Sequence, residues 1–341
     1  MATLIDIPAQ HDHLATEWKY LKKLAYSLVE KKESVVLLLS EEQIDNWTSQ
    51  YPKSVKLVAW NKGNRLQRWM NLRFRLQQHL SKQAADTYIS TIPKQLHHQQ
   101  VRQVLLLDQL AYLTSERYRK QVSKCRYILV HGKYWQQLII QKQPEATVEL
   151  VYAGGGNHEI NIIPADVDTF KNTYSNGADY FLFCSNETDN QAITTLLKAY
   201  TIFKKFQRSG IKILLSVPEK ARIDFEPLLQ QYKFKSDVVF LHKLNETEIH
   251  TAIAGAYATM HSNLHPVITT PMLIATQNGV PMILPENEVL QSEWADIALF
   301  TPNTAQGWAT QLMLLYKDET MRSTLSELSK AKAVEMLQQR I

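Results

Sequence analysis

Short apolar segments alternate with longer segments of helical periodicity along most of this chain. Ser34–Leu39 reads SVVLLL, which is typical of a strand buried on both faces of a parallel sheet. Glu17–Lys31, just before it, places apolar residues at helical spacing. This alternation indicates doubly wound parallel α/β sheets. Further strands are predicted at Val55–Trp60, Thr87–Ser90, Gln103–Leu107, Tyr127–Val130, Val148–Tyr152, Tyr180–Cys184, Ile211–Val217, Val238–Leu241, Tyr257–Met260, Val280–Leu284 and Ile297–Thr301.

The alternating pattern runs through the chain twice. A chain of 341 residues suits two domains of ordinary size. The segment 161–179 shows no strong periodicity and contains the turn dipeptide Asn176-Gly177. We therefore expect one Rossmann-like domain over residues 1–172 and a second over residues 173–341. Because ligands bind at the carboxyl ends of the strands in such sheets, the expected site is a cleft between two domains that face each other.

Composition restricts the cellular locations and the kinds of chemistry that this chain is expected to have. Hydrophobic residues make up 45% of the chain, yet no run approaches the roughly 18 apolar residues that span a bilayer. Met1–Gln10 lacks the basic start and apolar core of a secretory signal. The two cysteines, Cys125 and Cys184, are expected to be buried thiols. These features predict a cytoplasmic protein, and the sequence contains no motif for a metal or a cofactor.

Positive charge is concentrated in the first half. Residues 1–170 contain 22 lysines and arginines against 16 acidic residues, a net charge of +6, whereas the rest has a net charge of −1. The predicted helix Asn64–Lys82 places four basic residues around one side, namely Arg65, Arg68, Arg75 and Lys82. Such a surface suits peripheral contact with the inner face of a membrane or a lipid-linked acceptor, and a solvated face is the alternative. Nothing in the sequence indicates nucleic-acid binding.

The stretch His265–Pro302 has an informative order of elements. An apolar helix, Pro271–Gln277, runs into Asn278-Gly279, and a short strand follows. Glu286 and Glu288 come after that strand, at its carboxyl end. We expect these two acids either to face the cleft, where they would bind a ribose or a cation, or to form a solvated loop.

Six segments in a shared order carry a resemblance to a known family. Gly279–Ile283 matches the family's Gly-Val-Pro-Val-Ile strand, and Asp237–Glu248 resembles its Asp-Val-Ile-Phe-Leu-Gly stretch. The chain resembles the retaining glycosyltransferases of the large family four, most closely their Bacteroidetes-type members. This resemblance implies the GT-B fold, a nucleotide-sugar donor, a glycan or lipid-linked acceptor, and a role in polysaccharide biosynthesis. The other matching segments are Val101–Leu113, Ser123–Ile139, Leu150–Phe170 and Tyr174–Gln207.

The departures from this family fall on the residues that carry its chemistry. The arginine that holds the donor diphosphate corresponds to Asn186 or Asn190, and the lysine corresponds to Gln191. The two donor-site glutamates correspond to Pro266 and Ile274. Neutral amides donate hydrogen bonds but do not offset the charge of a diphosphate. The glycine-containing loop between the glutamates is Val267-Ile268-Thr269 here, which is β-branched and stiff.

The resemblance also places candidate residues around the expected cleft. Asp108 is what remains of the family's His-Asp pair, and His131 replaces a serine that faces the cleft, so these two are the candidate catalytic residues. His261 and His265 flank the altered donor loop, where they would replace lost cations as imidazolium groups or be ordinary surface histidines. The donor-binding region is expected to include Ser185, Asn186, Gln191, His265, Thr269, Thr270, Gly279, Glu286 and Glu288.

Two functions follow from these residues. One is a glycosyltransferase that uses a nucleotide sugar through an altered phosphate site. The other is a catalytically inactive relative that binds a glycan or a protein, and the missing charged residues favour this second hypothesis on mechanism. An epimerase of the same fold has no specific feature in its favour.

Overall fold

The computed structural model describes residues 2–7, 16–39, 44, 54–59, 74–91, 100–107, 120–152, 162–185, 190–242, 244–262 and 268–338. The chain divides into two compact units, Met1–Ala153 and Gly154–Arg340. Each unit contains a sheet in which every pair of neighbouring strands is parallel. The predicted α/β class is therefore confirmed.

The sheet of the first unit has seven strands in the order β3-β2-β1-β4-β5-β6-β7. Sequence reasoning missed β1, which lies between β2 and β4, because its residues ATLID include the polar Thr3 and Asp6 and form no continuous apolar run. The strands are β1 (Ala2–Asp6), β2 (Ser34–Leu39), β3 (Lys56–Ala59), β4 (Thr87–Ser90), β5 (Arg102–Leu107), β6 (Tyr127–Val130) and β7 (Thr147–Leu150).

Helices cover both faces of this sheet. Helix α1 (Thr16–Glu30) buries Leu21 and Ala25 in one core cluster. Helix α2 (Leu76–Lys82), the described part of the predicted helix Asn64–Lys82, buries Leu76 and Leu80 in another. Helix α3 (Lys133–Lys142) follows β6. Two separate apolar clusters on one parallel sheet are what a doubly wound sheet requires.

The sheet of the second unit has six strands in the order β10-β9-β8-β11-β12-β13. Its first strand in sequence, Tyr180–Cys184, is buried along its whole length, which explains its wholly apolar sequence before the final cysteine. The strands are β8 (Tyr180–Cys184), β9 (Lys212–Ser216), β10 (Val238–Leu241), β11 (Ala258–His261), β12 (Met282–Pro285) and β13 (Ala298–Thr301).

Eight α-helices accompany this sheet in the described part of the second unit. The helical periodicity of this half predicts helices, and each is found within a few residues of its expected bounds: Asn190–Phe206, Ile223–Tyr232, Glu246–Ala254, Pro271–Gln277, Ala305–Tyr316 and Glu319–Glu335. Two helices were missed in sequence, namely α4 and α9. The helices are α4 (Pro164–Ser175), α5 (Asn190–Gln207), α6 (Glu219–Leu229), α7 (Glu246–Ala254), α8 (Thr270–Asn278), α9 (Glu288–Trp294), α10 (Ala305–Lys317) and α11 (Glu319–Gln338).

Local signals explain where α4 begins and ends. Pro164 occupies its first turn, and the Asp166 carboxylate accepts a hydrogen bond from the backbone N–H of Ile163 at 3.2 Å. The helix ends at Asn176, whose φ of 55° is left-handed. This helix packs against α7 of the second unit, and the predicted domain boundary after residue 172 falls inside it.

Candidate functional site

The strand order of the second sheet identifies where a ligand is expected. The chain winds from β8 to β9 and β10 on one side, then returns to β11, β12 and β13 on the other, so the topological switch point lies between β8 and β11. Cys184 and His261, the last residues of these two strands, are paired in register. Helices α5 and α8 are the next helices after β8 and β11, and both begin at this edge. Doubly wound sheets bind their ligands at such a point.

The start of α8 brings two predicted donor-site residues together. Thr269 caps the helix and Thr270 begins it, and both are buried. Thr270 is only 4% exposed, and its Oγ1 has no hydrogen-bond partner among the described residues. Thr269 makes no side-chain cap hydrogen bond. Pro271 in this first turn has no N–H, so the donors here are the remaining backbone N–H groups, and together with the helix dipole they favour a negatively charged group at this end.

The rest of α8 is fixed by packing. Every residue from Thr270 to Thr276 is buried. The indole N–H of Trp294 in α9 donates to the Thr276 hydroxyl at 3.1 Å, and that hydroxyl donates to the Met272 carbonyl at 2.9 Å. Gly279 ends the helix at a φ of 65°. A Cβ at Gly279 would lie 2.9 Å from the Ser326 carbonyl oxygen in α11, so this close approach requires glycine.

The start of α5 supplies a second helix N-terminus beside the switch point. Ser185 follows β8, is buried, and donates its backbone N–H to the Ser216 carbonyl at 3.0 Å. The Asn190 amide donates to the Asp224 carboxylate at 3.3 Å, which ties α5 to α6. Gln191 lies in the first turn and is exposed. The segments 184–191 and 261–271 contain no lysine or arginine.

His261 does not have the role that the sequence suggested. It is the last residue of β11, it is 1% exposed, and its Nε2 lies 3.0 Å from the Thr259 hydroxyl. Burial lowers the pKa of His261 from 6.5 to about 3. The imidazole is therefore neutral near pH 7, and the hypothesis that His261 replaces a lost cation is wrong.

The two predicted acids lie at the same edge, next to β12. The backbone N–H of Glu286 donates to the Thr301 carbonyl at 3.0 Å, and its side chain is exposed. Glu288 is also exposed and begins α9, which is capped by Asn287. An acid in the first turn stabilises a helix through its dipole, so Glu288 has a structural role whether or not it binds a ligand.

The first unit places polar side chains at the carboxyl edge of its own sheet. His131 follows β6 and is buried, and its Nδ1 lies 2.7 Å from the Val151 carbonyl oxygen. At the switch point between β1 and β4, the Tyr88 hydroxyl donates to the buried Asp6 carboxylate at 2.8 Å. Sequence reasoning missed Asp6 because it missed β1. Asp108, Asn186 and His265 lie outside the described residues.

Two kinds of feature are absent from the described ranges. Within them, no group of three or more histidine, cysteine, aspartate or glutamate residues is arranged to hold a metal ion. No helix in the same ranges combines the length and apolar character that crossing a membrane requires.

Comparison with known proteins gives the fold a name. No known protein family and no curated protein matches the sequence. Among solved structures, the chain is similar to a glycosyltransferase from Rickettsia africae ESF-5, with a TM-score of 0.80 and 10% identity over 98% of this chain and 93% of that one. HepE of Anabaena, solved with UDP-glucose, gives a TM-score of 0.75 and 12% identity over 98% and 95% of the two chains.

A protein of another activity shares the architecture. A putative UDP-N-acetylglucosamine 2-epimerase from Listeria monocytogenes gives a TM-score of 0.69 and 10% identity over 99% of this chain and 95% of that one. At such low identity the likeness shows the fold alone. The fold is GT-B, in agreement with the sequence prediction, and the activity has to be argued from the site.

Proposed function

We propose that this chain is a glycosyltransferase-type protein that binds a nucleoside diphosphate sugar at the switch point between β8 and β11 and transfers the sugar poorly or not at all. One observation carries the proposal: two helices begin at this point, with the Thr270 hydroxyl buried at one of them, while both adjoining segments lack lysine and arginine. The solved structures of HepE with UDP and with UDP-glucose support this choice of ligand class.

The same groups that favour binding limit catalysis. Backbone N–H groups at a helix N-terminus and threonine hydroxyls hold a phosphate by neutral hydrogen bonds. Cleavage of the donor leaves a nucleoside diphosphate with additional negative charge, and stabilising that charge is usually the largest single catalytic contribution. Charge-assisted hydrogen bonds are about twice as strong as neutral ones. In family four an arginine and a lysine make them, and the resemblance places neutral amides at those two positions of this chain. We therefore expect this chain to bind the nucleotide sugar but to transfer the sugar slowly or not at all.

An active transferase is the second candidate function. The Rickettsia neighbour is itself a glycosyltransferase, and this chain spans nearly its whole length. Release of UDP from UDP-glucose, measured with and without added glycan acceptors, separates the two candidates. Turnover at a rate of about 1 s⁻¹ or more, the ordinary range for enzymes, would establish the transferase and contradict the proposal.

Replacing Gln191 tests the neutral phosphate site. Gln191→Lys places a cation in the exposed first turn of α5, where the family has lysine, so UDP should bind at least about tenfold more tightly. Gln191→Glu at the same position is the matched control and should weaken binding. Calorimetric titration with UDP measures both. Equal UDP affinities of the two variants would show that the diphosphate does not lie near α5.

We also propose that the first domain, residues 1–172, binds a glycan or lipid-linked acceptor and that the second domain, residues 173–341, binds the donor.

A group of basic side chains around His79 supports contact of the first domain with the cytoplasmic face of a membrane. Burial, with the charges of Lys82, Lys56 and Arg75, lowers the pKa of His79, so these cations lie near one another. Phe74 beside them is 55% exposed.

Sedimentation with phosphatidylglycerol vesicles tests the membrane contact. The Arg75→Glu, Lys82→Glu variant should sediment less with these vesicles than the wild type, because each basic residue contributes about 1 kcal/mol near an anionic surface. Lys317→Glu, on α10 of the second unit, is the control. Equal sedimentation of the wild type with phosphatidylcholine and phosphatidylglycerol vesicles would contradict the contact.

A further inference from the structure

Two Asn-Gly pairs, Asn176-Gly177 and Asn278-Gly279, lie at the carboxyl ends of helices α4 and α8. In such a pair the backbone nitrogen of the glycine attacks the side-chain amide carbon of the asparagine, because glycine has no Cβ to hinder the approach. A carbon–nitrogen bond forms, ammonia leaves, and a succinimide ring results. Water then opens the ring to aspartate or isoaspartate. Both pairs have the same local chemistry, so only the fold distinguishes them.

The pair at the end of α4 is open to solvent. Asn176 is exposed at a φ of 55°, and Gly177 is exposed at a φ of 76°. The attacking nitrogen of Gly177 donates a hydrogen bond to the Lys171 carbonyl at 3.0 Å, so this bond must break before the ring closes. The last turn of a helix opens at little cost in free energy. Solvent exposure and an easily opened cap therefore both favour reaction at Asn176.

The pair at the end of α8 is held by packing. The Asn278 side-chain amide donates to the Ile274 carbonyl at 2.9 Å, which fixes the group that would be attacked. Gly279 is buried, and a Cβ there would lie 2.9 Å from the Ser326 carbonyl oxygen of α11. Ring closure needs rotation about Asn278, which requires α8 to separate from α11. Because α8 is buried from Thr270 to Thr276, such an opening costs a large part of the free energy of unfolding of the second unit.

We propose that Asn176 is a site of spontaneous deamidation in the folded protein and that Asn278 is protected from this reaction. Deamidation places a carboxylate at the C-terminal end of α4, where the helix dipole disfavours negative charge. In isoaspartate the main chain also contains an additional methylene group, so the cap that Gly177 closes on Lys171 is lost. Because α4 packs against α7, we expect the modified second unit to unfold at a lower temperature, by about 1–4 °C.

Peptide mapping by mass spectrometry tests this site in the full chain. The protein is incubated in mildly alkaline buffer, with and without urea, and conversion at each asparagine is followed over time. In the folded protein we expect Asn176 to convert at least about tenfold faster than Asn278. In urea the two rates should agree within about threefold, because the fold no longer distinguishes the pairs. Equal rates in the folded protein, an unchanged Asn176, or a difference that persists in urea would each overturn the proposal.

Two variants test the consequence for stability. Asn176→Gly keeps a residue that tolerates the left-handed conformation and removes the reactive amide, so its melting temperature should not change during incubation. Asn176→Asp contains one product of the reaction from the start and should melt about 1–4 °C below the wild type. If the wild-type protein melts at its original temperature after full conversion, the expected effect on α4 is wrong. These measurements do not involve UDP, so their outcome is independent of the proposed function.

Discussion

Ile274→Glu is expected to destabilise the protein by more than about 3 kcal/mol and not to produce sugar transfer. The resemblance to family four places a donor-site glutamate at this position. Ile274 is 3% exposed, within a stretch of α8 buried from Thr270 to Thr276. A carboxylate at this depth is an uncompensated buried charge, and breaking charge balance in a core costs about 3–5 kcal/mol. Urea denaturation followed by circular dichroism measures the loss.

Ile274→Leu is the matched control because it keeps the volume and the apolar character. It should cost less than about 1.5 kcal/mol. A stable Ile274→Glu protein that hydrolyses UDP-glucose would contradict the structure, since it would mean that the side chain at position 274 reaches the ligand.

A strong acid dependence of stability is expected from His261. Its pKa is about 3 in the folded protein and about 6.5 in an ordinary environment. Between these values the unfolded chain binds a proton that the folded chain does not, so stability is full above pH 6.5 and falls as the pH decreases. From pH 7.5 to pH 4 this one group removes about 3 kcal/mol from the free energy of unfolding.

Comparison of histidine variants isolates the contribution of His261. His261→Asn should lose markedly less stability than the wild type between pH 7.5 and pH 4 in urea denaturation. His242→Asn is the control, because His242 is 40% exposed in its side chain and pairs with Glu219 at the surface. A His261→Asn profile parallel to that of the wild type would show that the pKa of His261 is the same in the folded and unfolded chains, which contradicts the prediction.

Most of the fold was predictable because parallel strands buried on both faces have a distinctive sequence. Tyr180–Cys184 and Val238–Leu241 have the bounds that their apolar runs predict. The failures have local causes. Strand β1 contains the polar residues Thr3 and Asp6 and therefore lacks a continuous apolar run. Helix α4 has a weak apolar pattern, and its proline and its cap mark it better than its periodicity does. Both are held by tertiary packing, which no short window of sequence contains.

The site was less predictable because its residues lie where strands end, and the sequence does not fix the last residue of a strand. Ending β11 at Met260 made His261 a loop residue, whereas one more residue in the strand makes it a buried, neutral histidine. The same limit applies to Asp6 and Tyr88, which are 82 positions apart and meet only when β1 and β4 pair in the sheet. By contrast, Thr269, Thr270 and Gly279 lie at the ends of the predicted apolar helix, and the structure brings them to α8.

The salt dependence of UDP binding by the wild-type chain tests the central claim most directly. A diphosphate held by helix N-termini and hydroxyl groups releases few ions, and partly buried interactions are weakly screened. We predict that calorimetry detects UDP binding at 50 mM salt and that the affinity changes less than about threefold at 500 mM. A tenfold or larger fall in the affinity for UDP between the two salt concentrations would reveal a cationic phosphate site. No detectable UDP binding at either salt concentration would contradict the nucleotide-sugar site itself.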